Sequence, residues 1–80
     1  MIFLTDNSTY EIDPANRRIR RLEGTNDPTA RQGNDGDWKN YAAISSVTIG
    51  DPVVIVWQIL DDRAKGTNTS PVRQIINALN

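Results

Sequence analysis

Four arginines lie within five positions, in the segment RRIRR at residues 17–21. Guanidinium groups bind phosphates and carboxylates strongly, so this cluster predicts contact either with nucleic acid or with an acidic protein surface. An alternative interpretation is a solvated strand face whose charge is balanced by nearby acids such as Glu11 and Asp13. The formal net charge of −1 gives no overall attraction to nucleic acid, so the balanced face ranks first.

Aromatic side chains provide a second candidate site. Trp38 and Tyr41 flank Lys39, and exposed rings here would anchor a protein partner or stack on nucleic-acid bases. Alternatively, both rings close the end of the core. The predicted partner-binding residues are Trp38, Tyr41, Arg31, Arg17 and Arg21. The predicted residues for the nucleic-acid alternative are Arg17, Arg18, Arg20, Arg21 and Lys39, with Trp38 and Tyr41 stacking.

The residue types that the chain lacks argue against catalysis, although carboxylate or lysine chemistry stays open. It contains no histidine and no cysteine, which removes the commonest general base, the thiol nucleophile and the strongest metal ligands. The acid pairs at 35/37 and 61/62 lie in polar segments, without the apolar surroundings that separate the pKa values of a catalytic pair. The segment NDGD at 34–37 lacks the further oxygen ligands and the closing glutamate of a calcium loop. We therefore predict a protein that is not an enzyme and binds no metal or cofactor.

The longest apolar segment, VVIVWQIL at residues 53–60, is interrupted only by Gln58. Its β-branched and aromatic residues favour a strand, and both of its alternating faces are apolar. A strand with two apolar faces has to be covered on both sides. We therefore predict that residues 53–60 form the central strand of the fold.

A hairpin is predicted from residues 9–13 and 17–22, which flank the turn sequence DPAN at 13–16. Pairing Ile12 with Ile19 places both on the core face together with Tyr10. The same register sets two charged pairs opposite each other, Glu11 with Arg20 and Asp13 with Arg18. Leu22 breaks the alternation, which predicts a bulge near Arg20 and Arg21 or the end of the strand.

Shorter elements are predicted for the rest of the chain. Strands are expected near 2–5 and 40–49, polar connections at 24–37 and 61–69, and a helix over 71–79. Ser70 is a favourable N-cap and Pro71 suits the first helical position. The apolar residues that follow have helical spacing: Val72, Ile75, Ile76 and Leu79. The predicted fold is α+β, a small twisted antiparallel sheet or partly open barrel of about five strands with one C-terminal α-helix packed on it.

These features together predict a single domain over residues 1–80. The predicted function is a non-catalytic protein-interaction module, an accessory protein that binds a cellular factor or self-associates, for example as a homodimer through an exposed edge strand at 2–5. The alternative is a small nucleic-acid-binding protein. Because the chain has no cysteine, no secretory signal and no apolar segment long enough to cross a bilayer, we predict a soluble, cytoplasmic protein. In size and composition it resembles small accessory proteins of bacteria and their phages.

Overall fold

A computed structural model of the protein describes residues 1–24, 34–61 and 63–76. These residues form eight β-strands and one short 3-10 turn, Pro14–Asn16. The strands are β1 Ile2–Thr5, β2 Ser8–Asp13, β3 Arg18–Gly24, β4 Lys39–Asn40, β5 Ala43–Ile44, β6 Val54–Leu60, β7 Arg63–Asn68 and β8 Val72–Ile76. The described part of the chain is therefore all β, and the predicted α+β class is wrong.

The strands form two antiparallel sheets. Sheet A has the order β4-β3-β2-β1-β8 and sheet B has the order β5-β6-β7. The chain passes from sheet A to sheet B between β4 and β5, and it returns between β7 and β8. At the first crossing the backbone amide of Tyr41 donates a hydrogen bond to the carbonyl oxygen of Arg17, 3.0 Å away. The next backbone amide, that of Ala42, donates to the carbonyl oxygen of Val56, 2.8 Å away. Neighbouring residues thus tie the two sheets together.

One core cluster joins the inner faces of both sheets. Its buried members are Phe3, Tyr10, Ile12, Ile19, Tyr41, Val53, Ile55 and Val72. The rings of Phe3 and Tyr10 are stacked with their centroids 5.0 Å apart. A core this small gains most of its stability from the removal of apolar surface from water, so each of these side chains matters.

The predicted register of the β2–β3 hairpin is confirmed. Ile12 pairs with Ile19, and the two charged pairs lie opposite each other as expected. Tyr10 pairs with Arg21 and Thr9 pairs with Glu23. Leu22 is therefore an extra residue between two successive pairs, just after Arg21. The predicted bulge is therefore present, one residue later than the pattern of apolar residues indicates.

The predicted C-terminal helix is wrong, because residues 72–76 form β8. This strand pairs with β1, with Phe3 opposite Ile75, and Val72 is buried in the core. Ser70 does not cap a helix. Its hydroxyl oxygen accepts a hydrogen bond, 2.7 Å long, from the side-chain amide of Asn7. β1 would otherwise expose its second edge, and the β-branched residues of β8 suit a strand. The last part of the predicted helix, 77–79, lies outside the described residues.

The prediction that β6 is covered on both faces is also wrong. β6 does lie between two strands, but only its inner face is buried, with Val53 and Ile55 at 0% exposure. On the outer face Val54 is 40% exposed and Ile59 is 62% exposed. The predicted strand at 40–49 is two short strands separated by a bend, and the predicted polar connection at 61–69 contains β7.

The predicted connection at 24–37 is described only in part. Gly24 ends β3, residues 25–33 lie outside the described residues, and Asp37 follows a turn that begins at Asn34. No helix among the described residues is long and apolar enough to cross a membrane.

Candidate interaction surfaces

The arginine cluster is divided between the two faces of β3. Arg18 and Arg20 lie on the outer face of sheet A, whereas Arg21 shares the inner face with Ile19. Arg17 precedes the strand with a left-handed backbone (φ 50°) and is exposed. The cluster predicted as one basic surface is therefore not continuous.

Acidic partners on β2 balance the two outer arginines. The Arg18 Nε lies 2.9 Å from an Asp13 carboxylate oxygen, and the Arg20 Nε lies 2.7 Å from a Glu11 carboxylate oxygen. The Asn16 amide and the Arg18 guanidinium both donate to the Asp13 carboxylate and lower the pKa of that group. Both guanidinium groups already have a carboxylate partner, which favours the balanced-face interpretation over phosphate binding.

Trp38 covers these two arginines from the edge of sheet A. The guanidinium carbons of Arg18 and Arg20 both lie 4.4 Å from the centre of its ring, within the range of a cation–π interaction. Trp38 is half-buried by this packing. It therefore belongs to the outer surface of the sheet and does not close the core.

Tyr41 and Arg21 are the predicted contact residues that the fold makes least accessible. Tyr41 belongs to the core cluster and Arg21 is only 6% exposed. The Arg21 Nε lies 2.8 Å from a carboxylate oxygen of Asp35, which belongs to the segment NDGD at 34–37. This ion pair joins the connection before β4 to the inside of β3. Arg31, also predicted to bind a partner, lies outside the described residues.

Cations without an acidic partner lie in a different place. In the described ranges four arginines form ion pairs: Arg18, Arg20, Arg21 and Arg73. Within the same ranges the side-chain cations with no ion pair are Arg17, Lys39, Arg63 and Lys65. The last three line one surface, formed by β4 and the β6–β7 hairpin. Only Lys39 among these three is a sequence-predicted site residue.

We refer to this surface as the cationic groove. It consists of two adjoining depressions of about 460 Å³ and about 440 Å³ that share Gln58 and Lys65. The first is also lined by Lys39, Asn40 and Trp57, and the second by Asp61 and Arg63. The Trp57 ring is held in place by a hydrogen bond from its Nε1 to the Thr67 hydroxyl, 2.8 Å long. The groove therefore combines cations, amide groups and one oriented aromatic ring.

The outer face of sheet B carries a row of aliphatic side chains, most of them exposed. Val54 and Val56 alternate along β6, and a bulge at Trp57 then brings Ile59 opposite Ala64 on that same face. Together with Ala43, which pairs with Val56, these residues form what we term the aliphatic face. Ala43, Val54, Ile59 and Ala64 are exposed and Val56 is half-buried. None of the five side chains carries a charge.

Sequence reasoning missed both of these surfaces for identifiable reasons. Nothing in the pattern of the apolar residues of β6 marks the bulge, so the pattern predicts a strand covered on both faces. Arg63 and Lys65 lie in a segment rich in Gly, Thr and Asn, which reads as a loop. The one local signal of the hairpin in the sequence is Asp61 at its turn. Asp adopts the positive φ found there (45°) more readily than most residues.

Metal chemistry has no support among residues 1–24, 34–61 and 63–76. No group of three or more His, Cys, Asp or Glu side chains is close enough there to hold an ion. The chain matches no protein-family model, no curated protein and no solved structure.

Proposed function

We propose that this chain is a non-catalytic protein-interaction module that binds a protein partner through its aliphatic face. The observation that supports this is a row of aliphatic side chains on one sheet face, without charge and without cover. Ile59 at 62% exposure is the most prominent of them. Exposed apolar surface of this kind is typical of protein-binding sites.

Leaving these side chains in water is costly for a chain with so small a core. Complete burial of a valine or isoleucine side chain is worth about 1.5–3 kcal/mol. From the exposed fractions of Ile59 (62%) and Val54 (40%), a partner that covers both would gain roughly 2–3 kcal/mol. A gain of that size is enough to make these two residues the energetic centre of an interface.

The size of the face bears on how much surface the proposed partner would contact. With β6 spanning Val54–Leu60 and three strands side by side, the face covers roughly 300 Å². A stable interface needs about 800 Å² from each partner. The face alone is smaller than this, so we propose that the contact with the partner extends onto the rim of the face.

Two earlier expectations have less support than this face. The edge strand predicted to mediate a homodimer, 2–5, is paired on both sides, with β2 and with β8. In nucleic-acid binding through the segment 17–21, phosphates would have to compete with the carboxylates that already pair with Arg18 and Arg20. The absence of histidine and cysteine supports a role without catalysis, and the cytoplasmic location stays a prediction.

Affinity capture from cell lysate with a matched pair of variants tests the proposal. Ile59→Ser removes the centre of the aliphatic face, and Ile49→Ser changes a residue of equal exposure, 62%, that lies outside that face. We expect one or more proteins whose recovery falls at least fivefold with Ile59→Ser, corresponding to about 1 kcal/mol. Recovery should be unchanged with Ile49→Ser and with Trp38→Ala.

An identical partner list for wild type and Ile59→Ser would contradict the proposal. A loss shared equally by Ile59→Ser and Ile49→Ser would also contradict it, because general stickiness of exposed isoleucines would then explain the capture. A loss confined to Trp38→Ala would move the binding site to the outer face of sheet A.

A further inference from the structure

We infer that the cationic groove is a binding site for single-stranded nucleic acid. This site is separate from the aliphatic face, and the inference does not depend on the function proposed above. It also differs from the nucleic-acid surface predicted at 17–21, with which it shares only Lys39.

The distribution of charge is the first step. Lys39, Arg63 and Lys65 line the groove, and none of them forms an ion pair with a described residue. Arg63 and Lys65 are exposed, so their charges are available to a ligand. Asp61 is the one described acid in the lining. A protein whose net charge is −1 thus places three cations without an ion-pair partner, together with one described acid, around one groove.

The shape of the groove is the second step. Its two depressions share Gln58 and Lys65, so they form one path from β4 to the turn of the β6–β7 hairpin. A single strand follows such a path with its phosphates against the cations, whereas compact anions would use only one end. Because Lys39 lines only one depression, Arg63 only the other and Lys65 both, the cations favour a ligand that extends through the two.

The uncharged lining is the third step, and it distinguishes nucleic acid from an acidic peptide. Trp57 offers a ring that its hydrogen bond to Thr67 holds in position, and bases stack on such rings. The exposed amides of Asn40 and Gln58 can donate to and accept from base edges. A peptide of Asp and Glu alone would satisfy the cations and could hydrogen-bond to these amides, but it has no aromatic face to stack on the Trp57 ring.

Titration of a fluorescently labelled oligonucleotide of about ten nucleotides, the length of strand that small β-domains bind, tests the inference. Three phosphate contacts predict that log K falls with log salt with a slope of about −2. Arg63→Gln and Lys65→Gln should each reduce the slope by about 0.7 and weaken binding several-fold at low salt. Arg73→Gln is the matched control, because Arg73 lies on β8 at the opposite edge of sheet A from Lys39. It should leave the slope unchanged.

Tryptophan fluorescence supplies an independent readout. In a Trp38→Phe background the emission comes from Trp57 alone, and we expect the oligonucleotide to quench it with the same affinity. Circular dichroism of every variant confirms that the sheets are retained.

Three results would overturn the inference. The first is no binding of single-stranded oligonucleotide at about 20 mM salt, where three phosphate contacts would be strongest. The second is an equal loss for Arg73→Gln and Arg63→Gln, which would indicate attraction by overall charge. The third is polyglutamate competing as effectively as the oligonucleotide, which would show that the groove recognises charge alone.

Discussion

Gly66 lies at a point where the backbone of β7 is close to that of β6. It pairs with Val56, immediately before the bulge, and a Cβ atom added to it would lie 2.8 Å from the carbonyl oxygen of Ile55. That oxygen belongs to the backbone of β6, so it cannot rotate away as a flexible side chain would. The Gly66→Ala variant therefore has to push the two strands apart.

Two opposing effects decide the outcome of Gly66→Ala. Replacing glycine restricts the unfolded chain, which by itself stabilises a protein by about 0.4–1 kcal/mol. Overpacking against a rigid neighbour costs about 1–3 kcal/mol. We expect the clash to prevail, with a net loss of about 1–2 kcal/mol and a fall in Tm of roughly 5–15 °C for a domain of this size.

Thermal unfolding followed by circular dichroism measures this effect, and urea titration checks its free energy. Asn68→Ala is the matched control, since Asn68 is exposed in the same strand and pairs with Val54 on the same face of sheet B. Its Tm should change little. A Tm for Gly66→Ala equal to or above that of wild type would refute the reasoning, because the β6–β7 spacing would then not be as close as described.

Three further variants probe the core and the outer face of sheet A. Ile55→Ala truncates a fully buried side chain and should lower the free energy of unfolding by about 2–5 kcal/mol in urea titration; a loss below 1 kcal/mol would contradict its place in the core. The hydrogen bonds from Asn16 and Arg18 lower the pKa of Asp13, so its contribution to stability is present above the pKa of an unfolded carboxyl, about 4, and disappears as the pH falls through the lower folded value. The difference in Tm between wild type and Asp13→Asn should accordingly be larger at pH 7 than at pH 2, and a constant difference would count against this linkage. Trp38→Ala removes the ring that contacts both outer guanidinium groups of β3 and should cost about 1–2 kcal/mol; no change would mean that this packing contributes nothing.

The β2–β3 hairpin could be predicted from the sequence because several local signals agree. The apolar pair Ile12 and Ile19, the opposite charges of Glu11 and Arg20, and the turn at Pro14 all require one register. A shift by one residue would have moved every side chain to the other face. The same register predicts the acidic partners of Arg18 and Arg20, whereas Arg21, predicted as a contact residue, is buried.

The C-terminal segment could not be predicted, because its partner is distant in sequence. The spacing of Val72, Ile75 and Ile76 fits a helix, and nothing nearby in the sequence shows that β1 has an edge to fill. As a strand, the segment buries Val72 and places Ile75 opposite Phe3. Tertiary pairing overrides a helical pattern of this length, because a short helix is not stable by itself.

The candidate site was predictable only where charges are adjacent in sequence. The balance of Arg18 and Arg20 by acids follows from the hairpin register. The cationic groove depends instead on where the β6–β7 hairpin passes β4, which brings Lys39 and Lys65 to the same depression. That approach is set by the crossing of the chain between the sheets, for which sequence periodicity gives no signal.

The pairing of β1 with β8 determines the order in which this protein can complete its fold. Phe3 meets Ile75 across nearly the whole chain, so the second edge of the first strand stays unsatisfied until every other strand has been synthesised. Closing so long a loop is entropically expensive, which predicts slow, all-or-none folding compared with helical domains of equal length. During that interval an unpaired apolar strand is open to pairing with neighbouring chains, so aggregation of nascent protein is the main hazard of this topology.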